Sequence, residues 1–215
     1  MRYKLAIFDL DGTILNTLED LADATNYVMD RLGMPKRTIE EVRRFVGNGI
    51  HRLLELAVVE GTTDEGVDRA FDIFNEYYRE HCADKTQPYD GIMDVLKALR
   101  ENGVLTAVVS NKADYGVQSL CEDYFPGMFD FAVGEKQGIR RKPYPDSVLA
   151  VLNRFGVEKK DAVYIGDSEV DFATAKNAGL DVLMVGWGFR SAESLMELGA
   201  EKIMEKPAQI LDQIL

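Results

Sequence analysis

Two carboxylates one residue apart, Asp9 and Asp11, stand where an apolar run ends, in Phe8-Asp9-Leu10-Asp11-Gly12-Thr13. In such a pair one carboxylate can attack an electrophile such as phosphorus while the other handles the leaving-group proton. Gly12 allows the chain a sharp departure. The same residues also suit an ordinary strand-to-turn boundary, because Asp and Gly are common turn formers. A second acidic group follows another apolar run, in Tyr164-Ile165-Gly166-Asp167-Ser168-Glu169-Val170-Asp171. Asp167 and Asp171 share a face if a helix starts there, and Mg²⁺, which prefers oxygen ligands, would answer their mutual repulsion. Taken alone, they also suit the N-cap and first turn of a helix, where the dipole favours acids.

Two further segments offer groups for an anion. Ser110-Asn111-Lys112 closes the run Val104–Val109 and supplies a hydroxyl, an amide and backbone N–H groups, expected at a helix N-terminus. Lys142 lies in Arg140-Arg141-Lys142-Pro143-Tyr144-Pro145, where the prolines stiffen the loop. Its ammonium can neutralise a phosphoryl oxygen and Asp9 together. Arg140 and Arg141 read as solvated charges.

The elements that must position these residues follow from the pattern of apolar runs. Leu5–Phe8, Val104–Val109, Phe129–Val133, Ala162–Ile165 and Val182–Val185 read as buried strands, with helical patterns between the last four. That alternation predicts βαβ units and a parallel, Rossmann-like sheet. Asp9, Ser110 and Asp167 each follow a strand, and ligands of open α/β sheets sit outside strand carboxyl ends. After Thr13, roughly seventy residues contain no credible strand, too many for one connection in a compact unit. They read as a helical insert over 15–84, leaving 1–14 and 85–215 as the α/β core. Within it, Leu18 to Leu32 has helical spacing, with Thr17 as its expected N-cap and Gly33 and Pro35 as its stop. Thr38 and Glu41 form a capping box, and further stripes run through Ile50–Val58 and Val67–His81. Gly47-Asn48-Gly49 breaks the pattern, either as a plain turn or as backbone able to approach a small ligand.

Composition bounds the partners. A chain of 215 residues that is 46% hydrophobic can bury a sizeable core. A formal net charge of -12 argues against nucleic acid, and a small phosphorylated metabolite remains acceptable through a local cationic pocket. No apolar run is long enough to span a membrane. Cys82 and Cys121 form no CxxC pair and are expected as buried thiols of a cytoplasmic protein. Both a monomer and a homodimer fit the pattern.

Together, Asp9-Leu10-Asp11-Gly12-Thr13, Ser110, Lys142 before Pro143, and Gly166-Asp167 with Asp171 occur in the order found in haloacid dehalogenase-like hydrolases, which the whole chain resembles. The insert is similar to that family's helical C1 cap. Phe45-Val46-Gly47-Asn48-Gly49 and Thr17-Leu18-Glu19-Asp20-Leu21 resemble the phosphoglycolate phosphatases within it. The resemblance implies a Mg²⁺-dependent phosphatase. Asp9 would be nucleophile and metal ligand, and Asp11 the general acid/base with its backbone carbonyl on the metal. Asp167 would bind the metal, supported by Asp171. Ser110, Asn111 and Lys142 would hold the phosphoryl group, and Arg44, Gly47, Asn48 and Gly49 would select the substrate. Asp11 would need a raised pKa to act as an acid. Related activities on the same core are a sugar-phosphate mutase of the β-phosphoglucomutase kind, a pyrophosphatase or a nucleotidase. A non-catalytic phosphate-binding role fits poorly with an intact motif set. No lysine lies between Thr13 and Pro35 to serve a phosphonate hydrolase.

Overall fold

The computed structural model describes residues 1–215. By packing, the chain divides into a unit formed by Met1–Leu15 with Pro88–Leu215 and a second unit, Asn16–Gln87.

The first unit is built on a parallel sheet. Its strands are β1 (Leu5–Phe8), β4 (Leu105–Ala113), β5 (Phe131–Glu135), β6 (Ala162–Gly166), β7 (Asp181–Val185) and β8 (Ile203–Met204), in the order β5-β4-β1-β6-β7-β8. Two short strands, β2 (Leu15–Asn16) and β3 (Gln87–Pro88), pair where the chain leaves and re-enters this unit. β1 lies between β4 and β6, with Phe8 in register with Val108 and Ile165. The chain runs to one side of β1 and then to the other, so the strand order reverses there and opens a crevice at the strand ends. β1 reads Leu-Ala-Ile-Phe and is buried on both faces, as a central parallel strand requires. On one face, Leu5 and Ile7 join Ala107, Val109, Ala162 and Tyr164 under Val148, Val151 and Leu152 of α7 (Asp146–Phe155) and Ala175 and Ala178 of α8 (Glu169–Ala178). Pleat alternation sends Phe8 to the other face, where it meets Phe129 edge-on at 6.2 Å, and Phe129 meets Phe125 at 5.7 Å. The remaining helices of this unit are α5 (Ile92–Glu101), α6 (Asp114–Tyr124), α9 (Ala192–Glu197) and α10 (Gln209–Ile214).

Sequence located β1, β6 and β7 closely, whereas β5 starts two residues later than expected, at Phe131, and the two-residue strands β2 and β3 carry no apolar run. β8 is too short to register as an apolar run. β4 extends past Val109 through Ser110-Asn111-Lys112 to Ala113, so these residues belong to a strand and α6 begins only at Asp114. The reason is an irregularity: Val109 pairs with Val133 and Ala113 with Glu135, so β4 spends more residues than β5 over that span. The bulge re-aims the three polar side chains.

The second unit contains α1 (Leu18–Arg31), α2 (Ile39–Phe45), α3 (Gly49–Ala57) and α4 (Asp64–His81). The expected capping box is present: Glu41 N–H donates to Thr38 Oγ1, and Thr38 N–H donates to Glu41 Oε2. Thr17 occupies the N-cap of α1, but its hydroxyl makes no cap; the Leu18 N–H donates to Asn16 Oδ1 instead. The unit ends later than residue 84 for a local reason. Asp20, 2% exposed, accepts from the Lys85 and Thr86 N–H groups and from Thr86 Oγ1 at 2.7–3.1 Å, which binds 85–86 to α1. Replacing Asp20 by Ala strands two backbone donors, at about 1–3 kcal/mol each. Asp20→Ala should therefore lower the urea midpoint of the helical circular-dichroism signal by an amount equivalent to roughly 3 kcal/mol. An unchanged midpoint would show that water satisfies these groups equally well. Cys82 and Cys121 are free and buried, and no helix is long and apolar enough to cross a membrane.

Candidate active site

Asp9 is the first residue beyond β1, and its N–H donates to the Ile165 carbonyl, which fixes it against β6. The next turn winds on the Leu10 carbonyl, which accepts from Thr13, Ile14 and Leu15. Gly12 takes φ 85° there, and a Cβ on it would collide with Asp167 Oδ2. A side chain at this position would therefore be both strained and obstructed.

Lys142 is the hub. Its ammonium is almost wholly buried and lies 2.8 Å from Asp9 Oδ1, 2.7 Å from Asp171 Oδ1 and 3.0 Å from Tyr164 Oη. Burial opposes its charge, but Asp171 and Asp9 outweigh that penalty and hold its pKa well above the ordinary lysine value. Asn111 holds the loop in place, donating Nδ2–H to the Lys142 carbonyl and accepting the Lys142 N–H at Oδ1. Both ends of the amide expected to bind phosphate thus grip the Lys142 backbone. Ser110 is buried beside it, and its Oγ accepts the Lys112 N–H.

Asp11 has a partner that sequence reading passed over. The buried Lys112 Nζ donates to Asp11 Oδ1 at 3.1 Å, and its stem passes the place where a Cβ on Gly116 would sit. The signal was present, since Lys112 directly follows Ser110 and Asn111. Asp11 lies between an acid, Asp9, and a cation, Lys112.

Asp167 and Asp171 divide their tasks. α8 starts at Glu169 with Ser168 as N-cap, so Asp167 lies outside the helix and does not share a helical face with Asp171. Asp171 Oδ2 accepts from the N–H groups of Asp167 and Ser168 and from Ser168 Oγ, while Oδ1 meets Lys142 and Tyr164. Asp171 is thus a first-turn acid, and the N-cap is Ser168 in place of Asp167. Asp167 accepts one hydrogen bond on each oxygen, from Thr13 Oγ1 at Oδ1 and from the Phe189 N–H at Oδ2.

Carboxylate oxygens of Asp9, Asp167 and Asp171 lie within 4.8 Å of one another. Asp9 Oδ1 is buried, and its close partner is the Lys142 ammonium at 2.8 Å. Burial and Asp171 raise the Asp9 pKa to about 7 against the pull of Lys142, and burial, Asp171 and Asp9 push Asp167 well above the usual carboxylate range. Three buried acids against one ammonium fit a hard divalent cation held by Asp9 and Asp167. Asp171, saturated with donors, suits support better than ligation.

Residues 6–185 match the haloacid dehalogenase-like hydrolase family. The chain belongs to it. Among its relatives, phosphoglycolate phosphatase 1 of Pseudomonas aeruginosa is 31% identical over 98% of this chain and 77% of its own length. Phosphoglycolate phosphatase of Thiobacillus denitrificans is 31% identical over 96% and 93%. A crystal structure from Lactobacillus delbrueckii subsp. bulgaricus, provisionally assigned as a phosphoglycolate phosphatase, is 42% identical, covers 100% of this chain and 99% of its own, and superposes with a TM-score of 0.95.

The cluster of a haloacid dehalogenase-like hydrolase built this way should couple cation, pH and stability. Without a cation, the folded Asp9 titrates near 7, above the ordinary 3.8. Its contribution to stability is therefore present at low pH and lost as pH rises towards 7. Mg²⁺ relieves the repulsion only where the carboxylates are charged, so it should raise Tm more at pH 8 than at pH 5. Calorimetric melts with Mg²⁺ and with EDTA at both values measure this. An equal gain at both would mean that cation and protons do not compete for these groups.

The specificity residues expected in the insert lie in the second unit. Gly47 (φ 124°) and Gly49 (φ 80°) flank Asn48 between α2 and α3, a turn that needs glycine at both positions. Arg44 is exposed, whereas Arg43 is half-buried with Glu40 3.4 Å away.

Proposed function

We propose that this chain is a Mg²⁺-dependent phosphatase that hydrolyses a small acidic phosphomonoester, of the phosphoglycolate class, through a phosphorylated Asp9. The observation that carries this reading is the environment of Asp9: a buried carboxylate at the end of the central strand, its Oδ1 2.8 Å from a buried ammonium and grouped with the buried carboxylates of Asp167 and Asp171. The names of the relatives support the substrate class. Asp9, Asp167 and the Asp11 backbone carbonyl would hold the Mg²⁺, which when bound neutralises phosphoryl charge so that an anionic nucleophile can approach.

The chain's own residues supply the rest. Lys142 and Ser110 hold phosphoryl oxygens, with Asn111 fixing the Lys142 backbone. The Asp9 carboxylate attacks phosphorus, the ester P–O bond breaks, and Asp11 delivers its proton to the departing alkoxide. Asp11 then takes a proton from water, whose oxygen forms the new bond to phosphorus as the Asp9–phosphorus bond breaks. Phosphate leaves and Asp9 returns to its carboxylate form. Lys112 keeps Asp11 aimed through both halves. Arg44 and the Gly47–Gly49 turn are the proposed determinants of the leaving group. The reading places the protein in the cytoplasm, acting on a phosphorylated metabolite.

A phosphate-release screen of small acidic phosphoesters, sugar phosphates, nucleotides and pyrophosphate, with Mg²⁺ and with EDTA, tests it. Phosphoglycolate-like esters should give the highest kcat/KM, with turnover lost in EDTA. Isomerisation of a sugar phosphate without free phosphate, followed by phosphorus NMR, would assign a mutase instead.

A further inference from the structure

The turn after β7, Gly186-Trp187-Gly188-Phe189-Arg190, takes no part in the steps above, yet its contacts converge on one carboxylate. Phe189 N–H donates to Asp167 Oδ2 at 2.8 Å. Gly188 packs so closely that a Cβ there would collide with Asp167 Cβ and stand 2.5 Å from the Gly12 carbonyl oxygen. On its other side, Asp167 meets Gly12 and accepts from Thr13 Oγ1. Asp167 is therefore clasped between the loop after β1 and the turn after β7.

Two side chains fasten that turn. Arg190 forks onto the first turn of α8, with Nε and Nη2 at 2.7 and 3.0 Å from the Glu169 carboxylate. Trp187 reaches the opposite way, donating Nε1–H to the Thr13 carbonyl at 3.0 Å. The indole thus joins directly the two loops that hold Asp167, through the same residue whose hydroxyl bonds Asp167 Oδ1.

We propose that Trp187 is a positioning residue for the divalent cation. Its hydrogen bond to Thr13 locks the turn after β7 onto the loop after β1, so that Asp167 can neither rotate nor retreat. The site then favours a small ion of fixed geometry over a larger one. This rests on the cation reading given above. The physical reason is that Mg²⁺ demands near-ideal octahedral geometry at short distances, whereas Ca²⁺ accepts longer and more variable ones. Carboxylates held by outer partners gain metal affinity from being pre-aimed, and loss of such a partner weakens binding about 10- to 100-fold. A packing role alone would make a different demand. Tyr89 is the aromatic neighbour of Trp187, at 6.4 Å between ring centroids, and that contact needs a ring but no N–H.

Trp187→Phe separates the two, because it keeps an aromatic ring and removes the donor. Titration calorimetry of the full chain with Mg²⁺ and with Ca²⁺ should show Mg²⁺ binding weakened about tenfold. Ca²⁺ binding should weaken less, while Tm in EDTA and KM for phosphoglycolate at saturating Mg²⁺ stay near wild type. An unchanged Mg²⁺ isotherm in the folded variant would overturn the proposal. Should that variant fail to fold, the wild-type chain still decides, because Trp187 is its one tryptophan. Its emission should shift on Mg²⁺ addition with the midpoint of the calorimetric isotherm, and silent emission beside a clear isotherm would overturn the proposal. Absence of any Mg²⁺ binding to wild type, with turnover indifferent to EDTA, would overturn the cation reading and the positioning role together. Normal Mg²⁺ binding with an indifferent Trp187→Phe would overturn the positioning role alone.

Discussion

Asp9→Asn should abolish phosphate release, by at least on the order of 10⁴-fold, while leaving the chain folded. The amide reproduces the outline of the carboxylate, so the packing around β1 survives. What disappears is the nucleophile, because an amide oxygen forms no stable bond to phosphorus under these conditions. Stability should move in the opposite direction to activity. The Asp9 carboxyl is buried, and burial with Asp171 raises its pKa to about 7. At pH 8 without a cation its charge is therefore a burden on the folded state, which Asn removes. The expected result is an inactive protein whose Tm in EDTA at pH 8 is equal to or above that of wild type. Turnover within tenfold of wild type would exclude Asp9 as the nucleophile. A collapse of Tm would instead show that the carboxylate holds Lys142 in place.

The strands that carry the site were legible because each is a short apolar run cut by a polar residue. Asp9, Ser110 and Asp167 mark those cuts, and the resulting parallel sheet places all three at one end of neighbouring strands. Helical spacing and the Thr38–Glu41 capping box made the second unit equally legible, since both are local patterns. What could not be read depends on contacts between residues distant in sequence. The bulge in β4 is set by pairing with β5, and it turns Asn111 towards the Lys142 backbone and Lys112 towards Asp11. Nothing within Ser110-Asn111-Lys112 announces either contact.

The turn at Trp187 illustrates the same limit more strongly. Two glycines, a tryptophan and an arginine after an apolar strand look like a simple exit loop. Only the fold brings Gly188 against Asp167 and Gly12, positions separated by many residues along the chain. Asp171 shows the converse. The sequence reads it as a first-turn acid or as a site acid, and the fold makes it the N3 partner of Ser168 in a capping box and brings it near Asp9 and Asp167. Sequence could not show that one carboxylate does both, with one oxygen on the helix start and the other on Lys142.

Lys142→Met should be the most destabilising single change in this cluster, and its effect should depend steeply on pH. The methionine fills a similar volume but leaves the Asp9 and Asp171 oxygens, 2.8 and 2.7 Å from the lost ammonium, without their cation. Removing one partner of a buried ion pair costs about 3–5 kcal/mol, because the remaining charge stays buried. For a chain of this size that corresponds to a fall in Tm on the order of 10 °C at pH 8 in EDTA. Protonation offers relief. Asp9 and Asp167 already bind protons more readily than ordinary carboxylates, and loss of Lys142 removes a group that lowers the Asp9 pKa. The variant takes up protons at a higher pH than wild type, so its stability relative to wild type rises as pH falls from 8 to 5. Mg²⁺ should restore part of the loss at pH 8 by supplying positive charge to the same carboxylates. Lys142→Arg should restore little, since a planar guanidinium does not fit a site shaped for a compact ammonium among Asp9, Asp171 and Tyr164. Thermal melts of the three proteins at pH 5 and 8, followed by Trp187 emission, measure all of this. A deficit of equal size at both values would mean that the destabilisation comes from lost packing of the lysine stem, with the carboxylates finding other partners.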